Sequence, residues 1–569
     1  MILPETLQLR PVAKTFWSRP TVLAAGSALV LWLAFPPADR GYLGWIALAP
    51  LFSLVRREAR PLKLYLATWF GGLVFGGLSM SWVAQTDFIG GLLMALFMSL
   101  WWPLFLLPAR LGVRRLGLPL IVVAPVVWVG MEYARSLLLS GFPWYYLAHT
   151  QYASLFVIQI CDLFGAWGLS FLIAMGNVLI LDLLTLPLFQ RTESGSRWTA
   201  TQRRKIAIVA GLVVATLVYG VVRIATSHLR PGPRLALLQT DFPQALKNKV
   251  ELPEVMAKLD HLVADAAATK PRPDLIVWPE TSYPVGFVQI EPGLSESDFA
   301  TLARKDDPGL RTAYWRDRRQ RGTAELHGLA DEMGIPMVVG AITYDFRTRG
   351  FFRFNTAALF LPGKIEVATY HKQALVVAGE YMPFLETMPW LLNLTPYTDG
   401  YVPSLSPGTG PKLLESGGVR FAPIICFEDT IPTLARRAVL GTGSSGRADV
   451  LLNLTNDGWF RGSPEQQAHL AISVFRAVEC RRPLVRAVNT GISAVVDGNG
   501  RIVASLPQAT EGVLSAEVPL ELSTGVWLGR GTDIDFMIGH RRGLHPSANA
   551  LGVPAQFVRS NNQTVPFCM

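Results

Sequence analysis

Three short stretches of this 569-residue chain place a residue able to do chemistry at the end of a strand. In Trp278-Pro279-Glu280-Thr281 the proline stops the apolar run and leaves a carboxylate at the turn. Tyr370-His371-Lys372 supplies a cation, followed by a second carboxylate in Gly379-Glu380-Tyr381. Ile424-Ile425-Cys426-Phe427-Glu428 sets a cysteine between an apolar run and a helix expected to start near Pro432. A nucleophile on a strand-to-helix turn has an exposed side chain, and the backbone N–H groups after it can face a developing oxyanion. Singly, each has an ordinary reading: a buried Cys is a small hydrophobe, and an isolated Lys or Glu is a solvated surface group. What favours covalent catalysis is their joint placement at strand ends, the rim where α/β folds build active sites.

The elements that must position them are legible as alternation. Strand-sized runs stand at Leu235–Gln239, Leu275–Trp278, Pro336–Gly340, Ala357–Leu361, Phe421–Ile425 and Val450–Asn453. Helix-like stretches intervene at 251–268, 322–333, 430–440 and 464–480, the pattern of a layered α/β domain. Residues 286–321 and 383–412 lack clear periodicity and read as inserted excursions.

The N-terminal half has a different texture. Half of the chain is hydrophobic, 17% is charged and the mean hydropathy is +0.31, whereas soluble domains are about 25% charged. Charge-free runs at 20–38, 41–55, 64–86, 88–109, 116–131, 163–181 and 206–222 predict about seven membrane helices, each needing roughly 20 apolar residues, with 41–55 the weakest. The aromatic stretch within 136–161 reads as an interfacial segment, and the pairs Gly71-Gly72 and Gly76-Gly77 as close helix packing rather than a phosphate loop. Residues 1–230 hold 19 Lys+Arg against 8 Asp+Glu, while the remainder holds 33 against 34, which leaves no basic excess for a nucleic-acid partner. Fifteen of those basic residues lie in 1–19, 56–63, 109–115 and 182–205, which places the N-terminus in the cytoplasm and everything after Val222 outside. The four cysteines, Cys161, Cys426, Cys480 and Cys568, form no CxxC pair, so neither a disulfide framework nor a structural zinc is expected. The predicted organisation is a multi-pass α-helical membrane domain over 1–230, an α/β extracytoplasmic catalytic domain over 231–520, and a tail over 521–569 with no assigned role.

Residues 234–518 resemble the carbon–nitrogen hydrolase (nitrilase) superfamily, whose Glu, Lys, Cys triad occurs here in order as Glu280, Lys372 and Cys426. The apolar half narrows the resemblance to the bacterial apolipoprotein N-acyltransferase family. It is carried by Gly141-Phe-Pro-Trp144, Gly379-Glu-Tyr-Met-Pro383, Ile425-Cys-Phe-Glu428, Asn453-Leu-Thr-Asn-Asp-Gly-Trp-Phe460 and Arg486-Ala-Val-Asn-Thr-Gly491. This implies a nitrilase-like α-β-β-α sandwich in a multi-pass protein of the bacterial inner membrane, with its catalytic domain periplasmic. It also implies acyl transfer from a phospholipid donor to the amino-terminal cysteine of a diacylglyceryl-apolipoprotein, through a thioester on Cys426. Glu280 would be the proton acceptor, Lys372 the oxyanion partner together with the N–H of Phe427, and Glu380 a supporting carboxylate. Phe427, Glu428, Asn456, Asp457 and Trp459 are expected to contribute to substrate binding, with no metal and no cofactor.

The chain departs from the family pattern at Val377-Ala378, where Pro-Phe is usual, and at Phe427, where Tyr is common. It also departs in 521–569, where Arg530, Asp533, Asp535, His540, Arg541 and Arg542 interrupt any further span, so the C-terminus is expected outside the cytoplasm. A membrane-tethered amidase using water as acceptor, and a silent lipoprotein-binding scaffold, are the alternatives. Seven spans are excessive for a tether, and a scaffold should have lost a triad member.

Overall fold

The computed structural model describes residues 18–138, 141–186, 189–192, 195–242, 252–306, 312–385, 387–394, 402–441 and 446–521. The expectations for the tail beyond 521, and for 395–401 within the second excursion, fall outside the described residues.

The apolar half folds into the helices Pro20–Leu33, Ala49–Arg56, Pro61–Ser79, Phe88–Arg110, Leu120–Arg135, Cys161–Thr185 and Ala200–Ala225. Among the described residues, three helical stretches are long and apolar enough to cross a membrane by length and composition: Phe88–Arg115, Cys161–Thr185 and Ala200–Ala225. Pro61–Ser79 lies between Pro20–Leu33 and Phe88–Arg110, and its glycines make that approach possible. A Cβ on Gly71 would stand 2.8 Å from the Ala24 carbonyl oxygen, and one on Gly72 or Gly76 would stand 2.4 or 2.5 Å from those of Ser99 or Ala95. The run 41–55 is not one helix but a 3₁₀ turn, Gly41–Trp45, followed by Ala49–Arg56.

The aromatic stretch after residue 136 differs from the interfacial segment expected. Trp144, Tyr145 and Tyr146 are buried in the same apolar cluster as the helices. The Tyr145 hydroxyl sits between Trp82 Nε1 at 3.1 Å and the Ser79 carbonyl at 2.8 Å, so its polar tip is satisfied without water.

The second half consists of two sheets packed face to face between layers of helices. One runs in the order Gly512–Glu517, Arg234–Gln239, Leu275–Val277, Met337–Arg347, Gly350–Phe360, Ala368–His371. The other runs Leu414–Ser416, Val419–Ile425, Val450–Asn456, Leu484–Asn489, Ser493–Val496, Ile502–Leu506. Alternation sorts each central strand between two cores. Leu235 and Leu237 face the second sheet, where they meet Ile425, Leu452 and Val485, whereas Ala236 and Leu238 face the helices Leu252–Ala268 and Thr312–Met333. Each buried Leu or Val contributes about 1.5–3 kcal/mol relative to exposure, so these layers outweigh any surface ion pair.

Residues 286–321 are not a structureless excursion. Tyr283–Ile290 pairs parallel to Met337–Arg347, and the helices Glu296–Asp306 and Thr312–Met333 follow. Pro284 and the left-handed Gly286 (φ 70°) break the alternation that would have marked the strand.

The outer helices of the second sheet, Pro432–Leu440 and Glu465–Cys480, pack in the same cluster as the apolar half. Polar ties fix that seam. Arg481 Nε and Arg223 Nε hold Asp162 Oδ2 at 2.8 and 2.9 Å. Glu479 Oε1 accepts the Ala166 N–H at 2.8 Å, just after Gly165 breaks the helix with φ 65°.

Candidate functional site

The strand Val419–Ile425 ends on Cys426, which adopts φ 50° and opens the 3₁₀ turn Cys426–Thr430. A left-handed cysteine is backbone strain of the kind folds keep where it aims a side chain. Cys426 is partly exposed. Opposite it, Leu275–Val277 gives way to the turn carrying Glu280, and Thr281 is again left-handed at φ 45°. Gly340 on the neighbouring strand lets this turn pass: a Cβ there would lie 2.1 Å from the Pro279 carbonyl oxygen. Lys372 follows the strand Ala368–His371.

Four buried side chains close into a ring. Lys372 Nζ lies 3.2 Å from Glu280 Oε1 and 2.9 Å from Glu380 Oε1. Asn355 Nδ2 donates to the same two oxygens at 2.7 and 3.1 Å. The outer oxygens accept backbone N–H groups, Glu280 Oε2 from Asn456 at 2.8 Å and Glu380 Oε2 from Val376 at 2.9 Å. Each carboxylate is therefore fixed from two sides, and one of the ammonium's three hydrogens has no acceptor among the described residues.

Burial lifts the Glu280 carboxyl above the usual carboxylate range, opposed by Lys372 and reinforced by Glu380. For Lys372, burial disfavours the charge, yet Glu280 and Glu380 overcome it and hold the ammonium well above its ordinary value. Burial, then the Glu280 charge, pushes the Cys426 thiol up, with Lys372 working against them. A thiol held up in this way is protonated at rest, and could act as a nucleophile only if a base took its proton.

The other expected site residues take distinct places. Glu428 is fully buried and accepts from Ile425 N, Gln373 N, Ala374 N and the Tyr370 hydroxyl at 2.6–3.0 Å, which braces the cysteine turn against the Lys372 loop. Asn456 serves Glu280 through its backbone, while its side chain accepts from Gly458 N at 3.1 Å and Asn489 Nδ2 at 2.8 Å. Asp457 turns inward to His469 Nδ1 at 3.1 Å and Arg486 Nη2 at 3.4 Å. Phe427 packs on the cluster shared with the helices of the apolar half, and the Trp459 carbonyl accepts from Thr86 Oγ1 of that half at 2.8 Å. Asn355, His469 and Asn453, whose Nδ2 donates to the Cys426 carbonyl at 3.3 Å, carry no signal in the apolar pattern that would have singled them out.

Asp457, Glu465 and His469 are the one grouping of metal-ligand type among the described residues. Both His469 nitrogens face carboxylates, and Arg486 already pairs with Asp429 at 2.9 Å and Asp457 at 3.4 Å, so the group is closed by its own cations. A cavity of about 820 Å³, lined by Trp278, Thr281, Tyr283, Tyr314, Arg318 and Leu326, touches the Glu280 turn but reaches neither Lys372 nor Cys426.

Comparison with known proteins follows the same division of the chain. A family model described as the apolipoprotein N-acyltransferase N-terminal domain matches residues 27–179, and that of the carbon–nitrogen hydrolases matches residues 234–526. A protein of Geobacter metallireducens named apolipoprotein N-acyltransferase is 30% identical over 516 residues, covering 88% of this chain and 90% of that protein. Proteins of the same name from Rhodopirellula baltica and Chlorobaculum tepidum are each 29% identical, over 538 and 520 residues, covering 93% and 91% of their lengths and 88% and 89% of this chain.

Proposed function

The chain belongs to the family of apolipoprotein N-acyltransferases, built on a carbon–nitrogen hydrolase domain, and from that premise we propose that Glu280, Lys372 and Cys426 carry its acyl transfer to lipoproteins. The acyl donor is a membrane phospholipid. The observation that carries this reading is the buried ring in which Lys372 Nζ stands 3.2 Å from Glu280 Oε1, facing a cysteine on a left-handed turn.

Glu280 takes the thiol proton as Cys426 Sγ attacks the donor ester carbonyl, and the oxyanion that forms faces the uncommitted Lys372 hydrogen and the Phe427 N–H. Collapse breaks the ester bond. The lysophospholipid leaves with the proton from Glu280, and the acyl group stays on Sγ as a thioester. The amino group of the lipoprotein's first cysteine then attacks the thioester, Glu280 accepts its proton, and the expelled Cys426 thiolate regains it. The apolar cluster joining Phe427 to the membrane helices excludes the water that would otherwise hydrolyse the thioester. Incubation of the purified protein with a phospholipid and a diacylglyceryl peptide should yield N-acyl peptide and lysophospholipid in equal amounts. Release of free fatty acid with no acylated peptide would favour the amidase-like alternative.

The chain is a membrane protein. We propose further that about seven helices cross the bacterial inner membrane, with the N-terminus cytoplasmic and the domain 231–520 in the periplasm. Exposed positions on the two halves test this. A cysteine placed at Asp265 should react with a membrane-impermeant maleimide in intact spheroplasts, and one placed at Glu58 only after lysis. The reverse pattern would invert the topology.

A further inference from the structure

Behind the nucleophile turn lies a second buried cluster that the reaction above does not use. Both ring nitrogens of His469 face carboxylate oxygens: Nε2 lies 2.7 Å from Asp429 Oδ1, and Nδ1 lies 3.1 Å from Asp457 Oδ1. An ionised carboxylate only accepts, so each contact requires an N–H on the ring, and a ring with two N–H groups is the cation. The ring is 1% exposed. The remaining groups against it come from every neighbouring element. Glu465 stands one turn back on the same helix at 3.5 Å, and Ser473 Oγ one turn on donates to Asp429 Oδ2 at 2.5 Å. Arg486 on the strand Leu484–Asn489 holds the outer oxygens of both aspartates, and the Trp144 ring of the membrane half lies 5.5 Å away between centroids.

The two aspartates belong to the two loops that matter. Asp429 is part of the turn Cys426–Thr430, and Asp457 follows Asn456, whose N–H holds Glu280 Oε2 at 2.8 Å. We infer that His469 is a positioning residue for acyl transfer, an imidazolium that locks the nucleophile turn to the loop that holds the base and neutralises the acidic side chains behind the thiol. The charge balance agrees with the geometry. Burial works against the imidazolium, but Asp429 and Asp457 outweigh burial and Arg486 and push His469 up to about 10. Burial and then Asp457 hold the Glu465 carboxyl well above the usual range. Asp457 also opposes ionisation of the Cys426 thiol, so an uncompensated Asp457 would make the nucleophile harder to form. This inference rests on Cys426 being the nucleophile and Glu280 its base.

The test uses the full-length protein in detergent. The rate of iodoacetamide modification of the Cys426 peptide is followed against pH, together with thioester formation against phospholipid concentration. A glutamine in place of His469 fills similar space without the charge. His469→Gln should move the alkylation midpoint up by about one pH unit, the effect of one unscreened neighbouring charge in a partly buried site. Thioester formation near neutral pH should slow by about tenfold, the thiolate fraction falling in proportion, with KM for phospholipid within about twofold. Adding Asp457→Asn should move the midpoint back toward the parent, because the carboxylate that opposes the thiolate is then gone; a lost cavity or a loosened helix would not be repaired by that change. Should His469→Gln fail to fold, Asp457→Asn tests the same field from the other side and should lower the midpoint. An unmoved midpoint in His469→Gln, or a rise in KM with a fall in melting temperature and no rescue, overturns the positioning role. Acylation of a Cys426→Ala protein would instead overturn the premise on which it rests.

Discussion

Glu280→Gln and Lys372→Met should each lower thioester formation by about 10²–10⁴-fold while the protein stays membrane-inserted and folded. The two fail for different physical reasons. The amide that replaces the Glu280 carboxylate retains its shape and can still accept from Asn456 N, but it cannot take a proton from a thiol that burial keeps protonated. Removing Lys372 takes away the cation that faces the oxyanion, and it also leaves Glu280 and Glu380 with only Asn355 Nδ2 between their Oε1 atoms. Two carboxylates so placed cannot both stay ionised, so one takes up a proton and the base is weakened as well. The pH dependence follows with a definite sign. Burial raises the Glu280 carboxyl above the usual range, and the proposed mechanism uses its ionised form as the base, so parental activity should fall as pH drops through that raised value. In Lys372→Met the acid limb should move to higher pH, and in Glu280→Gln it should vanish with the activity. Single-turnover thioester formation across pH measures both. A rate within about threefold of the parent in either variant would remove that residue from the mechanism.

How much of this is written in the local sequence depends on how each residue is held. The strands Arg234–Gln239, Leu275–Val277, Val419–Ile425 and Val450–Asn456 are buried on both faces, and such strands show as short continuous apolar runs whose ends present Glu280 and Cys426. Ile502–Leu506 lies at a sheet edge with Ile502 and Val503 exposed, and its apolar run stops at Ser505 after three residues, too short to mark a strand. Asn355 was illegible for another reason. It looks like any polar residue in a strand, and its importance comes only from Glu280 and Glu380, 75 and 25 positions away. His469 is hidden in the same way, since its partners Asp429 and Asp457 are brought to it by two separate strands. The aromatic stretch Trp144–Tyr146 reads alike at a membrane interface and in a core, because amphipathic rings suit either place so long as the polar tip finds a partner. Glu428 was visible as an acid next to the cysteine, but its part as a brace depends on Gln373 N and Ala374 N, which follow a strand of the other sheet.

The central claim is that Cys426 carries the acyl group between donor and acceptor. Attack on a phospholipid ester needs no lipoprotein, so the first half-reaction should run alone and its product should accumulate. Intact-mass and peptide analysis of the full-length protein, after incubation with phospholipid only, tests this most directly. The predicted result is one fatty acyl mass on the peptide containing Cys426, removed by hydroxylamine, transferred on addition of a diacylglyceryl peptide, and never acquired by Cys426→Ala. Steady formation of N-acyl peptide with no acyl adduct on Cys426 at any time, or with full activity in Cys426→Ala, would contradict it.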